Sequence, residues 1–207
     1  MKQQTSLWVT WCIASWLCGC VGLSHAEQEE VTALLDAGWT LNSVGEADLN
    51  GDGRQDAVYI QEQPDPAFVP DPAFPDVQAP LRRVLKIAVR DAAGQLVVVK
   101  QNHKIAYASD AGGMMGDPLE GGGLTVENKR FSVSHYGGSG WRWANTVEFA
   151  YSRRDNTWQL VKVEETSFHA GDAEGAEVTN VFTPPKDFGK IDIAEFDPEH
   201  FKGIGEK

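Results

Sequence analysis

The chain has 207 residues and a mass of 22.7 kDa, enough for one domain or two small ones. Lys and Arg number 18 against 30 Asp and Glu, a formal net charge of −12, and because the phosphate backbone rewards basic residues this balance excludes a nucleic-acid binder. Hydrophobic residues at 42 % and aromatics at 10 % exclude a disordered chain.

Residues 1–26 read as a secretory signal peptide. Lys2 precedes an apolar run from Leu7 to Leu23, which ends in the small-x-small pattern Ser24-His25-Ala26 and then in Glu27-Gln28-Glu29-Glu30. A membrane anchor is the competing reading, but a run of about 17 residues sits at the lower limit for a span. Cys12, Cys18 and Cys20 all lie in this segment, so cleavage after Ala26 leaves no disulfide and no thiol chemistry. Leu17-Cys18-Gly19-Cys20 also resembles a bacterial lipoprotein box with Cys20 as the lipidated residue, although a Cys is unusual at its second position. The expected location is periplasmic or extracellular, with an outer-membrane lipoprotein as the alternative. Membrane contact is expected only if Cys20 is lipidated.

The remainder, 27–207, reads as a single β-rich domain. Val31, Leu34 and Leu35 recur at helical spacing, which predicts a short helix over Glu29–Ala37 stopped by Gly38. Trp39 to Val44 and Ala57 to Ile60 predict strands on either side of the loop Asp48–Asp56. Residues 63–80 are Pro-rich and repeat Pro-Asp-Pro-Ala-Phe at 64–68 and 70–74, so they form a long surface loop within a hairpin. Asp91-Ala92-Ala93-Gly94 joins strands Val84–Val89 and Leu96–Lys100. Ser109 to Gly123 holds six glycines and no periodicity. Leu124–Val126 and Phe131–Tyr136 form another hairpin, and Gly137-Gly138-Ser139-Gly140 ends it. Trp141 to Tyr151 alternates, with Trp141, Trp143, Val147 and Phe149 on one face. In Thr157–Val163 the alternation puts Trp158 and Leu160 on one face, Val161 and Val163 on the other. Val178–Phe182 and Ile191–Phe196 are short elements of an acidic tail. The fold class is mainly β: an antiparallel sandwich or open barrel-like sheet with a short N-terminal helix.

The most specific motif is Asp48-Leu49-Asn50-Gly51-Asp52-Gly53-Arg54-Gln55-Asp56. Oxygen side chains fall at positions 1, 3, 5 and 9, glycine sits at 6, and Arg54 at 7 offers a backbone carbonyl. That is the ligand order of a DxDxDG calcium loop, so Asp48, Asn50, Asp52, Arg54 and Asp56 are the candidate metal residues and Ca2+ the expected cofactor. Position 12 is Tyr59 rather than a bidentate Glu, and a strand follows instead of a helix, so the loop departs from an EF-hand. Glu46 is a candidate replacement ligand. An Asx-rich turn without metal is the alternative.

From Gly45 to Val58 this segment resembles the FG-GAP or VCBS-type repeat signature. Gly112-Gly113-Met114-Met115-Gly116-Asp117-Pro118-Leu119, His135 to Trp143 and Thr183 to Lys190 resemble a family of uncharacterised bacterial secreted proteins that carry one such loop. The resemblance implies export and a metal. It implies no reaction, and a single copy of the loop does not make a propeller.

His135, Tyr136, Trp141, Arg142 and Trp143 gather around a Gly-rich bend and are the ligand-binding candidates. The two tryptophans read either as a platform for a sugar or peptide or, preferably, as core, and Arg142 is expected to pair with Asp117 or an acid of the tail. No zinc motif involves His103, His135, His169 or His200, and Ser139 lies between strands rather than on a strand-to-helix elbow. No catalytic residue is therefore assigned. The expected function is a secreted or periplasmic calcium-binding module, non-catalytic, with a protein or glycan as its ligand. The alternatives are a periplasmic inhibitor or immunity-type protein presenting loop 64–80 or 110–123, and a hydrolase with His135 beside an acid in a cleft.

Overall fold

The computed structural model describes residues 25–120, 123–171 and 177–201. Most of the leader, with Cys20, lies outside them. Helix α1 (His25–Thr32) is followed by β1 (Thr40–Ala47), β2 (Asp56–Pro64), β3 (Leu81–Arg90), β4 (Leu96–Asn102), β5 (Gly123–Glu127), β6 (Arg130–Gly138), β7 (Trp141–Ser152), β8 (Thr157–His169) and β9 (Val178–Phe182). The strands form two antiparallel sheets in sequence order, β1-β2-β3-β4 and β5-β6-β7-β8-β9. This is the mainly β class with a short N-terminal helix, in the sandwich form. No described helix is long and apolar enough to cross a membrane.

The two sheets share one core. Val58, Ile60, Leu85 and Ile87 of the first sheet meet Phe131, Val133, Val147, Phe149, Leu160 and Val163 of the second. Each side chain of this size stabilises by roughly 1.5–3 kcal/mol when fully buried. The opposite face of β2 and β3 is covered as well: Val31, Leu34 and Leu35 pack over Ala57, Tyr59 and Ala88. That is why Ala57 to Ile60 reads as an unbroken apolar run. The cover is fastened by polar contacts: Arg90 donates to both carboxylate oxygens of Glu30 at 2.8 Å, and Lys86 Nζ donates to Asp36 Oδ2 at 2.7 Å.

Sequence and structure differ in two local places. The helix ends at Thr32 rather than Ala37, because Leu34 and Leu35 bond back three residues in tight turns before Gly38 (φ 84°) redirects the chain. In β8 a bulge alters the alternation. Glu148 pairs with Lys162 but Phe149 with Leu160, so Val161 is the extra residue and Val163 joins Leu160 in the core. The repeated Pro-Asp-Pro-Ala-Phe forms the same turn twice: Asp65 and Asp71 accept from the amides of Ala67 (3.0 Å) and Ala73 (2.8 Å). This loop closes at the β2–β3 pair Pro64↔Leu81 and leaves Val69, Phe74 and Val77 exposed.

Residues 183–201 close the sandwich between β4 and β8, and Asn102 holds them. Its Nδ2 donates to the carbonyls of Ile193 (2.6 Å) and Phe196 (2.8 Å), while its Oδ1 accepts from the amides of Lys104 (2.7 Å) and Ile105 (2.9 Å). Asn102 is buried, so removing it leaves several backbone groups without partners. Asn102→Ala is expected to lower the unfolding free energy by about 2–3 kcal/mol in urea titrations; a change below about 0.5 kcal/mol would show that the segment is held by its apolar side chains alone.

Candidate functional site

The loop Asp48–Asp56 joins β1 to β2, as its sequence implies. Leu49 is fully buried in the shared core and anchors the loop's base. Gly51 (φ 80°) and Gly53 (φ 88°) take the left-handed conformation that reverses the chain. The loop winds around its own oxygens. Asp48 Oδ1 accepts from the amides of Gly51 (2.6 Å) and Asp52 (3.0 Å), and Asp48 Oδ2 from Gly53 (3.1 Å). Asn50 Oδ1 accepts from the Asp52 amide at 2.9 Å. Arg54 folds back so that Nη2 lies 2.7 Å from Asp52 Oδ2, a partly exposed pair of small energetic weight. The amide of Arg54 and this guanidinium hold the Asp52 carboxyl below the usual range. Asp56 differs: it is buried, and it accepts from the amides of Leu49 (3.1 Å), Asn50 (3.2 Å) and Arg90 (2.9 Å). Burial pushes its carboxyl up despite these bonds.

The donor set is all oxygen and suits a hard divalent cation. Asp48 Oδ2, Asp52 Oδ1 and Asp56 Oδ1 each accept one amide and retain a further lone pair, whereas Asp48 Oδ1 and Asp56 Oδ2 each accept two. Among the described residues no three His, Cys, Asp or Glu side chains converge in metal-holding positions, and Asp52 Oδ2 is taken by the Arg54 guanidinium and the Asn50 side-chain amide. Tyr59 lies beneath α1, and its hydroxyl donates to the Leu34 carbonyl at 3.3 Å, so it supplies no ligand. Glu46 accepts from Gln55 Nε2 at 2.9 Å.

The second site lies where the inner face of the five-stranded sheet runs past the core. Register places side chains in rows. Val133, Val147, Val163 and Phe182 form an apolar row; His135, Asn145, Glu165 and Asn180 form the next, polar row; Gly137, Trp143, Ser167 and Val178 form the third. Above the polar row stands Tyr107, from the segment that crosses between the sheets. Its ring stacks on His135 with centroids 4.2 Å apart and planes at 19°. Trp143 meets Tyr107 edge-on at 6.1 Å. Gly137 is obligatory opposite Trp143: a Cβ there would stand 2.4 Å from the indole. Tyr107, Trp143, Asn145, Glu165, Ser167 and Asn180 wall a cleft of about 340 Å³. A neighbouring cleft of about 400 Å³ shares Tyr107 and Trp143 and is bordered by His103, Lys104 and Glu199.

His135 lies behind Tyr107 and Asn145, off the cleft surface, and is 2 % exposed. Its Nδ1 donates to Asn145 Oδ1 at 2.9 Å, and its Nε2 accepts from the Tyr107 amide at 3.3 Å. Both nitrogens are thus engaged and the ring is the neutral Nδ1–H tautomer. Burial pulls its pKa down to about 4. Asn145 Nδ2 donates in turn to the Tyr107 hydroxyl at 3.0 Å. Burial pushes the Tyr107 phenol up, Asn145 opposes this, and the charges of Glu165, Glu199 and Asp197 add to the rise.

The crossing segment is fixed by Arg83, whose side chain is 1 % exposed. Its Nη1 donates to Asp117 Oδ1 at 2.7 Å and to the Tyr107 carbonyl at 3.0 Å, Nη2 donates to Asp117 Oδ2, and Nε donates to Glu62 at 2.9 Å. Asp117 therefore belongs to Arg83 and not to Arg142, which the alternation puts on the opposite face from Trp143. Arg142 Nη1 is buried without a hydrogen-bond partner. Trp141 is 66 % exposed and touches His169 edge-on at 5.1 Å, so it is not core. Tyr136 is partly buried on the face opposite His135. Of the five ligand candidates read from sequence, only Trp143 lines the cleft, with His135 bonded behind its wall. Tyr107, Asn145, Glu165 and Asn180 join Trp143, and only strand register brings these together.

Comparison with protein-family models, with curated proteins and with solved structures found no match.

Because His135 is held neutral, its folded pKa lies below the unfolded value. Between pH 6.5 and about 4 the unfolded chain binds the extra proton, so stability falls as pH falls through that window. Urea titrations are expected to show about 2 kcal/mol lost from this group between pH 7.5 and 5. His135→Gln should flatten that part of the profile; an unchanged slope in the variant would mean His135 is not the linked group.

Proposed function

We propose that this chain is an exported, non-catalytic binding module that holds Ca2+ in the Asp48–Asp56 loop and binds its ligand in the cleft of the five-stranded sheet. The observation that carries the reading lies behind the cleft: His135, under Tyr107 and Asn145, has both ring nitrogens bonded and is neutral, so the cleft offers walls and hydrogen-bonding groups but no histidine base. The hydrolase reading had this histidine as its anchor.

Export is supported by the leader pattern in residues 1–26, and calcium by the spacing of Asp48, Asn50, Asp52 and Asp56 with the Arg54 carbonyl. The resemblance to FG-GAP and VCBS-type loops agrees with both. Bound Ca2+ would neutralise the loop's carboxylates; Leu49 and Asp56 tie the loop to the core and to β3, so an ion there stiffens the β1–β2 junction.

Calcium that binds only the folded chain stabilises it by about 2.7 kcal/mol at a hundredfold excess over Kd. In thermal melts with 10 mM calcium and then with chelator, a difference of about 5–10 °C is expected for a site of sub-millimolar affinity. Asp52→Ala should abolish the difference. Melts that coincide with and without calcium would leave the loop an Asx-rich turn and remove calcium from the account.

A further inference from the structure

The cleft owes its space to small residues beside an indole. Gly137, Trp143, Ser167 and Val178 follow one another across the sheet. The Trp143 ring lies so close over Gly137 that a Cβ there would stand 2.4 Å from its Cζ2 and 2.8 Å from its Cε2. The indole therefore leans toward β6 and away from β8. On the β8 side its neighbour is only a serine, and the ring surface turned that way borders the cleft.

The polar groups around the indole both give and take hydrogen bonds. Among the described residues, the Asn180 side-chain amide and the Ser167 hydroxyl have no partner in the chain, and both residues are exposed. The Tyr107 hydroxyl accepts from Asn145 at 3.0 Å and keeps its own proton to donate. Glu165, the charged residue among those that line the cleft, already has an interaction within the chain. Neither a cation nor an anion therefore meets an open counter-charge on this wall. A saturated ring that carries hydroxyls fits these conditions. Its C–H face covers the indole, and each hydroxyl donates and accepts at once, as Ser167 and Asn180 require. The volume of about 340 Å³ lies at the low end of ligand pockets and suits a single ring.

We infer that this cleft binds one pyranose ring of a neutral sugar, its C–H face against Trp143 and its hydroxyls on Tyr107, Ser167 and Asn180. The inference rests on the binding-module reading and names the ligand class for the same cleft.

The test titrates the full chain, with calcium present, with glucose, galactose, mannose and N-acetylglucosamine. The amino sugar and uronic acid of each ring serve as charged counterparts, and cyclohexanol keeps a ring with one hydroxyl. Binding heat and tryptophan fluorescence are followed. At least one neutral sugar is expected to bind with a Kd of about 1–10 mM, and about tenfold more tightly than cyclohexanol or its charged counterparts. Ser167→Leu should fill the cleft and abolish this binding. Asn180→Ala should weaken it by about fivefold, with an unchanged melting temperature in both variants as the control for folding. A matching trisaccharide that binds about tenfold more tightly than the monosaccharide would assign the ring to a glycan chain, and equal binding would assign it to the free sugar; both outcomes support the inference. Sugar binding unaltered by Ser167→Leu overturns it. If cyclohexanol or a charged counterpart binds best and Ser167→Leu removes that binding, the sugar falls while the cleft reading stands. If no probe binds at tens of millimolar, the sugar falls and the module reading is judged on the calcium melts.

Discussion

Arg83 is the point on which the molecule's geometry depends. A guanidinium almost wholly removed from water is costly unless its donors are used, and here its planar fork meets Asp117 with two parallel bonds while Glu62 and the Tyr107 carbonyl take two more of its five N–H groups. Burial alone would lower the Arg83 pKa, but the two carboxylates outweigh it and hold the charge in place. Asp117 answers in kind: burial would raise its carboxyl, yet the bonds from Arg83 leave it lowered. One residue of β3 thereby fixes both ends of a crossing segment with little regular structure. Gly112, Gly113 and Gly116 in that segment give it no stiffness of their own.

The consequence is felt at the cleft. With the Tyr107 carbonyl held by Arg83, the Tyr107 amide reaches His135 and its ring lies flat on the imidazole. His135 is thus positioned by Tyr107 of the crossing segment and Asn145 of β7, and the burial that comes with this position lowers its basicity. A histidine used for proton transfer keeps a nitrogen open and a pKa near its working pH. This one has neither. Trp143 is fixed against Gly137 by close packing and presents its remaining surface to both clefts.

Local rules of the chain were legible wherever one element decided the outcome. The hairpin at Asp91–Gly94, the Pro-rich excursion between β2 and β3 and the β1–β2 loop all follow from turn chemistry and alternation. The repeated Pro-Asp-Pro-Ala-Phe even predicts its own repeated turn. What was not legible depended on partners far apart in sequence. Nothing near Asp117 indicates that its partner is Arg83 rather than Arg142, because that choice is made by how the crossing segment lies on β3. Val163 was placed on the wrong face because one bulge at Val161 shifts the parity of all that follows. Asn145, Glu165 and Asn180 are ordinary polar positions in three strands until register aligns them beside His135. Trp141 fails as core because the first sheet does not extend over it.

The central claim is that Arg83 holds the crossing segment, and through it the cleft, in one geometry. Hydrogen exchange followed by mass spectrometry on the parent chain and on Arg83→Lys tests this most directly, since Lys keeps the charge but loses the fork. The account predicts faster exchange across residues 107–120 and at the β6 positions they cover, Tyr136 and Gly138, with β2 and β3 still protected. Protection of 107–120 equal to that of the parent would contradict it, and would mean that backbone contacts to β6 alone hold the segment.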